Sequence, residues 1–506
     1  MPTETRRPSR HFAPKFTTLS WKRSMPDKLI ESLYLMGIGG IAMGTLATML
    51  KEKGYQVAGS DQNLYPPMST HLEALGIPLC RGYTHQNLET HHPDLVIIGN
   101  VIRRDNPEAS YVLDGGIPFL SMVDAIDRFF LCQHDSLVVA GTHGKSTTSA
   151  LLAWVLEFAG LDPSALIGGF VKNWGRSYRL GQGRYMVLEG DEYDTAFFDK
   201  TPKFLHYRPH IGVITSVEFD HADIYADFTA VFNAFRSFVE IIPEEGELVI
   251  CADDAQCRDV IAGCRGKVWS YGASTDADYR LLDVQFRSGE VDFQYRNPQG
   301  LVRAIRSRLP GRHNLLNTLA VTVVASRLGI APDLIQEALL SFQGVKRRQD
   351  VLGEVDGITI IDDFAHHPTA VRETIDAIGR YYPGRRLWAL FEPRSNSSRR
   401  RIFQQAYSEA FDRADVVAIK EPPDPGKVPE GERLDIERLV ADVSSRGIEA
   451  HCFQDVNLMM GLVMDRCCSG DVILAMSNGN FDDLPHRLLT ALAAKARLSN
   501  LPSRGR

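Results

Sequence analysis

The 506-residue chain lacks three features that would assign it to a class at once. It has no basic excess: 56 Lys and Arg stand against 63 Asp and Glu, a net charge of −7, which argues against a dedicated nucleic-acid-binding protein. It has no apolar run of about 18 residues, which excludes a membrane span. Its eight cysteines form no CxxC pair, which argues against a zinc ribbon or a disulfide framework, so we expect buried, reduced thiols.

The remaining composition is that of a soluble enzyme with several domains. Hydrophobic residues make up 44% and charged residues 24%, and the length predicts about three domains. Residues 1–28 are polar and basic without the apolar segment of a secretory signal, and we expect a disordered tail. A later start at Met25 and a basic membrane-surface or transit segment are the alternatives. In the absence of a recognisable targeting segment, we expect a cytoplasmic protein.

Short apolar runs alternate with helical patterns along most of the chain, which predicts an α/β fold with parallel sheets. In the helix after residue 144, Leu151, Trp154, Val155 and Phe158 are spaced as a buried stripe. Residues 267–307 lose the helical pattern and suggest antiparallel strands. We therefore expect three domains: a Rossmann-like N-terminal domain, a central P-loop ATPase domain with a mainly parallel sheet, and a Rossmann-like C-terminal domain. The expected boundaries are 29–133, 134–345 and 346–506.

A first glycine cluster directly follows the first predicted strand. Gly37, Gly39 and Ala42 fit the pattern G-x-G-x-x-G/A, in which glycines let a pyrophosphate approach a helix N-terminus. Asp61 follows the next strand, where an acid that binds ribose belongs. The pattern favours a nucleotide with a pyrophosphate but does not distinguish NAD from a UDP-sugar. A tight turn without a ligand is the alternative.

A second glycine cluster, GTHGKST at residues 141–147, follows a strand and opens a helix, the context of a P-loop. The backbone N–H groups would hold phosphates, Lys145 would reach the β and γ oxygens, and the Ser146 hydroxyl would ligate Mg²⁺. Val139 stands where the common pattern has Gly or Ala, so a generic motif search would miss this loop.

Two acidic segments, EGDEYD at 189–194 and EFDHAD at 218–223, each follow a strand. Carboxylates placed there can complete a site for a hard cation, and solvated loops are the alternative. His221 is a candidate ligand, and because imidazole is softer than the ligands that Mg²⁺ prefers, we expect Mn²⁺ to substitute. The segment GRHNLLN at 311–317 begins a helix, where its amides would either read a base edge or cap the helix.

In combination, GTHGKS, EGDEYD, EFDHAD, GRHNLLN, KRR and DDFAHHPT resemble the Mur ligases over about residues 30–490. This family makes amide bonds onto UDP-N-acetylmuramic acid during bacterial wall synthesis. The opening GIGGIAMG is similar to the branch that accepts UDP-N-acetylmuramate itself. The segments YPPMST, EPRSN and MSNG are similar to enzymes that add the recycled tripeptide L-Ala-γ-D-Glu-meso-diaminopimelate. The resemblance implies an ATP-dependent ligase that forms a C–N bond through an acyl phosphate.

The resemblance also implies roles for individual residues. The implied ATP-binding residues are Gly141, Thr142, His143, Gly144, Lys145, Ser146, Thr147, His313, Asn314, Asn317, Arg348 and Asp363. The implied metal ligands are Ser146, Glu189 and His221. The implied UDP-sugar-binding residues are Gly37, Gly39, Gly40, Ser60 and Asp61. The implied catalytic residues are Lys145, Glu189, His221, Arg348, His366 and His367, and the implied peptide-binding residues are Arg394 and Asn396.

The implied cofactors and substrates are ATP with Mg²⁺, UDP-N-acetylmuramate and the tripeptide, without nucleic acid or membrane, and the protein is expected to be a monomer or weak homodimer. Three alternatives remain: an L-alanine ligase of the same family, an NAD-dependent oxidoreductase and a P-loop switch module. His366 or His367 would lie near the reacting groups or form a structural turn before Pro368. Residues 222–238 contain no lysine, so no carbamylated lysine is assigned, and Asn480 departs from the glycine of MSNGGF-like segments.

Overall fold

The computed structural model describes residues 30–499 apart from 288, 423–425 and 427. The predicted tail at 1–28 lies outside the described residues. The chain divides into two compact units. One contains the described residues up to 122 together with Thr195–Lys200, and the other contains Val123–Asp194 and the residues from Thr201 onward. Within the described part, no helix combines the length and the apolar character needed to cross a membrane.

The first unit is built on a parallel five-stranded sheet in the order β3-β2-β1-β4-β5. This is the Rossmann strand order 3-2-1-4-5-6 without its sixth strand, which confirms the prediction of a Rossmann-like N-terminal region. Its strands are β1 (Ser32–Met36), β2 (Gln56–Asp61), β3 (Leu79–Arg81), β4 (Leu95–Ile98) and β5 (Phe119–Ser121). Its helices are α1 (Ile41–Glu52), α2 (Met68–Ala74), α3 (His85–His91) and α4 (Pro107–Gly115), and α5 (Met122–Phe129) follows.

The second unit contains two sheets, of which the first has ten strands in the order β17-β16-β15-β14-β13-β12-β6-β9-β7-β8. The strands from β15 to β7 in this order run parallel, and β8, β16 and β17 are antiparallel additions at the edges. The strands are β6 (Asp135–Ala140), β7 (Ser164–Val171), β8 (Arg176–Arg179), β9 (Tyr185–Glu189), β12 (Ile211–Ile214), β13 (Glu247–Cys251), β14 (Lys267–Gly272), β15 (Tyr279–Arg287), β16 (Glu290–Arg296) and β17 (Val302–Ser307). The helices are α6 (Lys145–Phe158), α7 (Phe228–Glu240), α8 (Ala255–Val260), α9 (Arg312–Arg327) and α10 (Pro332–Ser341). A hairpin of β10 (Asp194–Ala196) and β11 (Asp199–Pro202), most of which belongs to the first unit, forms a separate two-stranded sheet.

Two local predictions for this sheet need correction. The prediction of antiparallel strands across 267–307 is wrong for β14, which runs parallel to β13 because the short helix α8 makes the crossover. The predicted stripe on α6 fails at Phe158, which is 37% exposed. Residues 146–153 are all buried because α9 and α10 cover the face of α6 opposite the sheet. Val155 and Leu156 are buried as well, whereas Trp154 is half-buried, so the predicted stripe is buried only in part.

The second sheet of this unit has six strands in the order β18-β19-β23-β20-β21-β22, with β18 antiparallel to β19 and the others parallel. Apolar side chains of the strands are buried on both faces, as parallel sheets require. The strands are β18 (Asp350–Val355), β19 (Ile358–Asp363), β20 (Leu387–Phe391), β21 (Val416–Lys420), β22 (Glu449–Phe453) and β23 (Val472–Met476). The helices are α11 (Pro368–Tyr381), α12 (Gln404–Ala410), α13 (Ile436–Ser445), α14 (Val456–Arg466) and α15 (Leu484–Ser499).

The eight cysteines are free thiols. Cys251 and Cys257 are buried as expected, but Cys132, Cys452 and Cys468 are exposed. The expectation of buried thiols is therefore wrong for these three.

Candidate active site

The glycine turn of the first unit lies between β1 and α1 and is held by the end of β2. The Gly37 and Ile38 amides donate to the Ser60 carbonyl at 2.8 and 3.1 Å, and the Gly39 amide donates to Asp61 Oδ2 at 3.0 Å. Gly40 is the N-cap of α1. The structure thus brings together the five residues predicted to bind the UDP-sugar. Asp61 also braces the glycine turn, a function that the sequence did not indicate.

Ser60 has a buried side chain that points into the core of the first unit. Its hydroxyl donates to Glu108 Oε2 at 2.5 Å, and Glu108 is fully buried. Asn87 Nδ2 and the Tyr34 hydroxyl donate to Glu108 Oε1 at 2.7 and 3.0 Å. Several donors therefore offset the cost of burying this carboxylate, and the Ser60 hydroxyl is one of them. Ser60 therefore contacts the glycine turn through its backbone carbonyl and not through its hydroxyl.

The P-loop lies between β6 and α6, and two of its glycines are sterically required. Gly141 and Gly144 have φ values of 137° and 80°. A Cβ at Gly141 would collide with Thr215 Oγ1, and one at Gly144 would lie 2.6 Å from Asn317 Oδ1. Gly144 is the N-cap of α6 and has no side chain to cap it, which favours an anion beside the first-turn N–H groups.

Lys145 is buried in the P-loop and paired. Its Nζ donates to the Gly141 carbonyl at 2.6 Å and forms an ion pair with Glu192 Oε2 at 2.8 Å. Burial alone would lower the pKa of Lys145, but the carboxylates of Glu192 and Asp191 raise it above its ordinary value. Glu192 is 2% exposed and also contacts His221, whose Nε2 lies 2.7 Å from Glu192 Oε1. Glu192 therefore contacts two predicted site residues, Lys145 and His221. The sequence indicated only that the acidic segment 189–194 belongs to the site, and it did not identify Glu192.

Ser146 lies in the first turn of α6, and Glu189 is the last residue of β9. Ser146 Oγ donates to Glu189 Oε1 at 2.9 Å, and Arg348 Nη2 donates to Ser146 Oγ at 3.1 Å. Burial opposes the charged form of His221, but its hydrogen bond to Glu192 outweighs this and raises the pKa of the imidazole.

Carboxylates outnumber cations around the P-loop, and a triphosphate added there would be repelled. Besides Glu189 and Glu192, the surrounding acids include Asp191, which pairs with Lys203 at 2.7 Å, and the buried Asp220. A divalent cation between phosphate and carboxylate removes this repulsion. The donor set of hydroxyl and carboxylate oxygens therefore fits Mg²⁺.

His313, Asn314 and Asn317 lie in the first turns of α9. The N-cap of α9 is Gly311, so the alternative that these side chains cap the helix is wrong. Asn317 Nδ2 donates to Asn314 Oδ1 at 3.2 Å, and Asn314 Nδ2 donates to Gln349 Oε1 at 3.0 Å. Burial lowers the pKa of His313 to about 4, and its Nδ1 is buried without a hydrogen-bond partner among the described residues. Gln349 Nε2 lies 3.2 Å from His313 Nε2, and because an amide nitrogen only donates, the neutral ring carries its proton on Nδ1. His313 Nδ1 can therefore donate to an acceptor on a ligand.

Asp363 closes the loop that carries Arg348. Its Oδ2 accepts from the Gln349 amide at 2.7 Å and its Oδ1 accepts from the Ala365 amide at 2.6 Å. The Arg348 guanidinium lies 4.7 Å from the centre of the Phe364 ring. Asp363 and Phe364 thus hold Arg348 against the P-loop.

The two adjacent histidines have different surroundings. His367 is the N-cap of α11: its Nδ1 accepts from the Thr369 amide at 3.3 Å and its Nε2 donates to the Phe219 carbonyl at 3.2 Å. His366 Nε2 lies 4.0 Å from Asp220 Oδ2. His367 therefore forms the structural turn before Pro368, with both ring nitrogens in hydrogen bonds. Of the two histidines, His366 is the remaining candidate for proton transfer.

The predicted peptide-binding residues lie in the loop after β20. Arg394 crosses Gly479 so closely that a Cβ there would collide with the arginine. Asn396 Nδ2 donates to Asp223 Oδ2 at 2.9 Å, so it contacts the second acidic segment.

The sequence did not single out a buried ion pair beside Arg394. Glu392 is fully buried and accepts from Lys420 Nζ at 2.9 Å and from Ser477 Oγ at 2.7 Å. Arg394 Nη1 lies 3.7 Å from Glu392 Oε2. The carboxyl ends of β20, β21 and β23 are thereby tied together under Arg394.

The fold and this site define a P-loop enzyme of the α/β class, in which an arginine from the last sheet reaches the phosphate loop. Three family models match in order: the Mur ligase family catalytic domain over residues 32–131, the middle domain over 139–325 and the glutamate ligase domain over 347–479. The chain belongs to the Mur ligase family, as predicted, and is an ATP-dependent ligase that forms a C–N bond.

Relatives with two acceptor specificities resemble the chain. It is 38% identical over 467 residues to the UDP-N-acetylmuramate–L-alanyl-gamma-D-glutamyl-meso-2,6-diaminoheptandioate ligase of Escherichia coli, covering 92% of this chain and 99% of that protein. A UDP-N-acetylmuramate–L-alanine ligase of Geobacter sp. is 32% identical over 473 residues, covering 92% and 98%. The crystal structure of a murein peptide ligase from Psychrobacter arcticus matches with a TM-score of 0.68 and 31% identity, covering 94% of this chain and 100% of that one.

Proposed function

We propose that the protein joins UDP-N-acetylmuramate to the tripeptide L-Ala-γ-D-Glu-meso-diaminopimelate, using ATP and Mg²⁺ in the cytoplasm. The observation that carries this proposal is the meeting of three groups at the P-loop: the Lys145–Glu192–His221 cluster, the Ser146–Glu189 pair and Arg348. Such a site binds a triphosphate and neutralises the charge that develops when its terminal group is transferred.

In the first step the lactoyl carboxylate of the sugar nucleotide attacks the γ-phosphorus of ATP, and an acyl phosphate and ADP form. Bringing a carboxylate to a triphosphate requires cations in a partly desolvated site. Lys145 would leave Glu192 for the phosphates, while Arg348 approaches Ser146 from the last sheet. Ser146 and Glu189, with His221, would hold Mg²⁺, which offsets the phosphate charge.

In the second step the peptide amine attacks the acyl carbon and phosphate leaves. An α-amine has a pKa of about 7.7–8.0, so a useful fraction is neutral near pH 7.5 without a dedicated base. Burial lowers the pKa of His366, which makes the neutral imidazole available as an acceptor for the amine proton. A base here contributes modestly, because the amine already titrates near the working pH.

The acceptor site favours a peptide over a single amino acid. The Arg394 side chain is 39% exposed, packs over Gly479 and lies 3.7 Å from Glu392, so its guanidinium is accessible to a carboxylate of the acceptor. The tripeptide carries several carboxylates, whereas L-alanine carries one. The proposal is also supported by identities of 38% and 36% to the two tripeptide ligases, compared with 32% for the L-alanine ligases.

An ADP-release assay with UDP-N-acetylmuramate tests the proposal by comparing L-alanine with the tripeptide as acceptor. We expect turnover with the tripeptide and little with L-alanine at equal concentration. Turnover with L-alanine alone would replace the proposal with an L-alanine ligase. Omitting UDP-N-acetylmuramate is the control for uncoupled ATP hydrolysis.

A further inference from the structure

A cluster of two histidines and one glutamate lies beside the P-loop, and the mechanism above does not use it as a unit. His143 belongs to the P-loop, Glu218 follows β12, and His367 begins α11. One ligand atom from each residue lies within 4.8 Å of the other two. His143 Nε2 is 3.3 Å and His367 Nδ1 is 3.7 Å from Glu218 Oε2.

Two of the three separations in this cluster are close to those around a four-coordinate ion, and the third would shorten when an ion binds. Zinc binds imidazole nitrogen and carboxylate oxygen at about 2.0–2.2 Å, so neighbouring ligand atoms of a tetrahedron lie about 3.3–3.5 Å apart. The two measured edges of the cluster are near that value. The Thr369 hydroxyl donates to Glu218 Oε2 at 2.7 Å and so orients this carboxylate oxygen.

The hydrogen bonding of His367 is a second, independent indication. Its Nε2 faces the Phe219 carbonyl at 3.2 Å, and because a carbonyl can only accept, Nε2 carries the proton. Nδ1 therefore carries the lone pair, which accepts from the Thr369 amide at 3.3 Å and lies 3.7 Å from Glu218 Oε2, so a bound ion would replace this capping hydrogen bond. Metal-bound histidines typically donate their other ring N–H to a carbonyl or carboxylate in this way.

The charge states suit a metal as well. Burial lowers the pKa of His367 to about 4, so the ring is neutral near pH 7. For Glu218, burial acts in the opposite direction, but hydrogen bonds from His143 and Thr369 lower the pKa to about 2. His367 is nearly buried, whereas the His143 and Glu218 side chains are 22% and 35% exposed, which leaves a path for an ion to enter.

We propose that His143, Glu218 and His367 bind a divalent transition-metal ion of the Zn²⁺ type, at a site separate from the Mg²⁺ ligands Ser146 and Glu189. The three residues come from the P-loop, the end of β12 and the start of α11. A bound ion would therefore link His367, at the start of α11, to His143 in the P-loop.

Titration of the nucleotide-free, full-length protein with Co²⁺ in excess Mg²⁺ tests this site, because four-coordinate Co²⁺ has visible absorption bands that Mg²⁺ lacks. We expect the bands to saturate at one ion per chain and to disappear on addition of Zn²⁺, which binds such ligands more tightly than Co²⁺. His367→Gln and Glu218→Gln should each weaken binding by more than the roughly 10–100-fold typical of losing a second-shell partner, because each removes a direct ligand.

His221→Gln is the matched control, since it removes a histidine from the Mg²⁺ site and leaves the cluster intact. We expect this variant to keep the bands, and circular dichroism checks that each variant is folded. Bands that vanish in His221→Gln but persist in both cluster variants would place the ion at the Mg²⁺ site and overturn the proposal. The absence of any saturating band in the unaltered protein would overturn it too.

Discussion

Two adjacent arginines point to different parts of the site, and replacing each by methionine separates their functions. Arg348 Nη2 donates to Ser146 Oγ at 3.1 Å. Arg347 Nη2 instead donates to the carbonyls of Ser477 and Gly479, below the predicted acceptor site. The backbone allows this divergence because Arg347 has a φ of 60° and Gln349 one of 49°.

We expect Arg348→Met to lower kcat by about 10³-fold, the lower end of what a guanidinium contributes to phosphoryl transfer, or about 4 kcal/mol of transition-state stabilisation. Binding of UDP-N-acetylmuramate should be unchanged. Arg347→Met should mainly raise the KM for the tripeptide. Steady-state ADP release with each substrate varied in turn measures both effects. A kcat for Arg348→Met within tenfold of the unaltered enzyme would refute the assignment of Arg348 to the phosphates.

Three further predictions follow from individual contacts. Lys145→Ala should abolish ADP release while calorimetric binding of UDP-N-acetylmuramate persists; loss of that binding would mean that the two nucleotides have been assigned to the wrong loops. Gly479→Ala should displace Arg394 and raise the tripeptide KM by about 10–100-fold, as for one lost charge-assisted hydrogen bond, whereas Gly461→Ala, with open space around it, should not change KM. His313→Gln should reduce the loss of stability in acid. Folded His313 has a pKa of about 4, whereas the same side chain in the unfolded protein takes up a proton near pH 6.5. As the pH falls from 6.5 to 4, the free energy of unfolding of the unaltered protein should therefore decrease relative to that of the variant. Parallel curves of melting temperature against pH would contradict this last prediction.

The sequence predicted the features that are local in the chain. The P-loop was predicted from one contiguous segment, and its glycines have the backbone angles and close contacts that the motif requires. The α/β class and the family were also predicted, because alternating strands and helices and a series of short motifs carry that information. These predictions are confirmed by the sheet order and by the relatives.

Features that depend on contacts between distant segments were missed. Glu192 binds both Lys145 and His221, and no spacing in the sequence distinguishes it from the other acids of its loop. The Glu392–Lys420 pair joins the ends of neighbouring strands, so it exists only once the sheet has formed. Phe158 has the spacing of a core residue, but it is the last residue of α6 and is exposed.

The central claim is that the P-loop binds a triphosphate whose terminal group passes to the sugar acid. UDP-N-acetylmuramate labelled with ¹⁸O in its carboxylate tests this most directly, in the presence of ATP, Mg²⁺ and the tripeptide. We expect one labelled oxygen per turnover to appear in the released inorganic phosphate. Product formation with unlabelled phosphate would contradict it, because the carboxylate would then never have been phosphorylated.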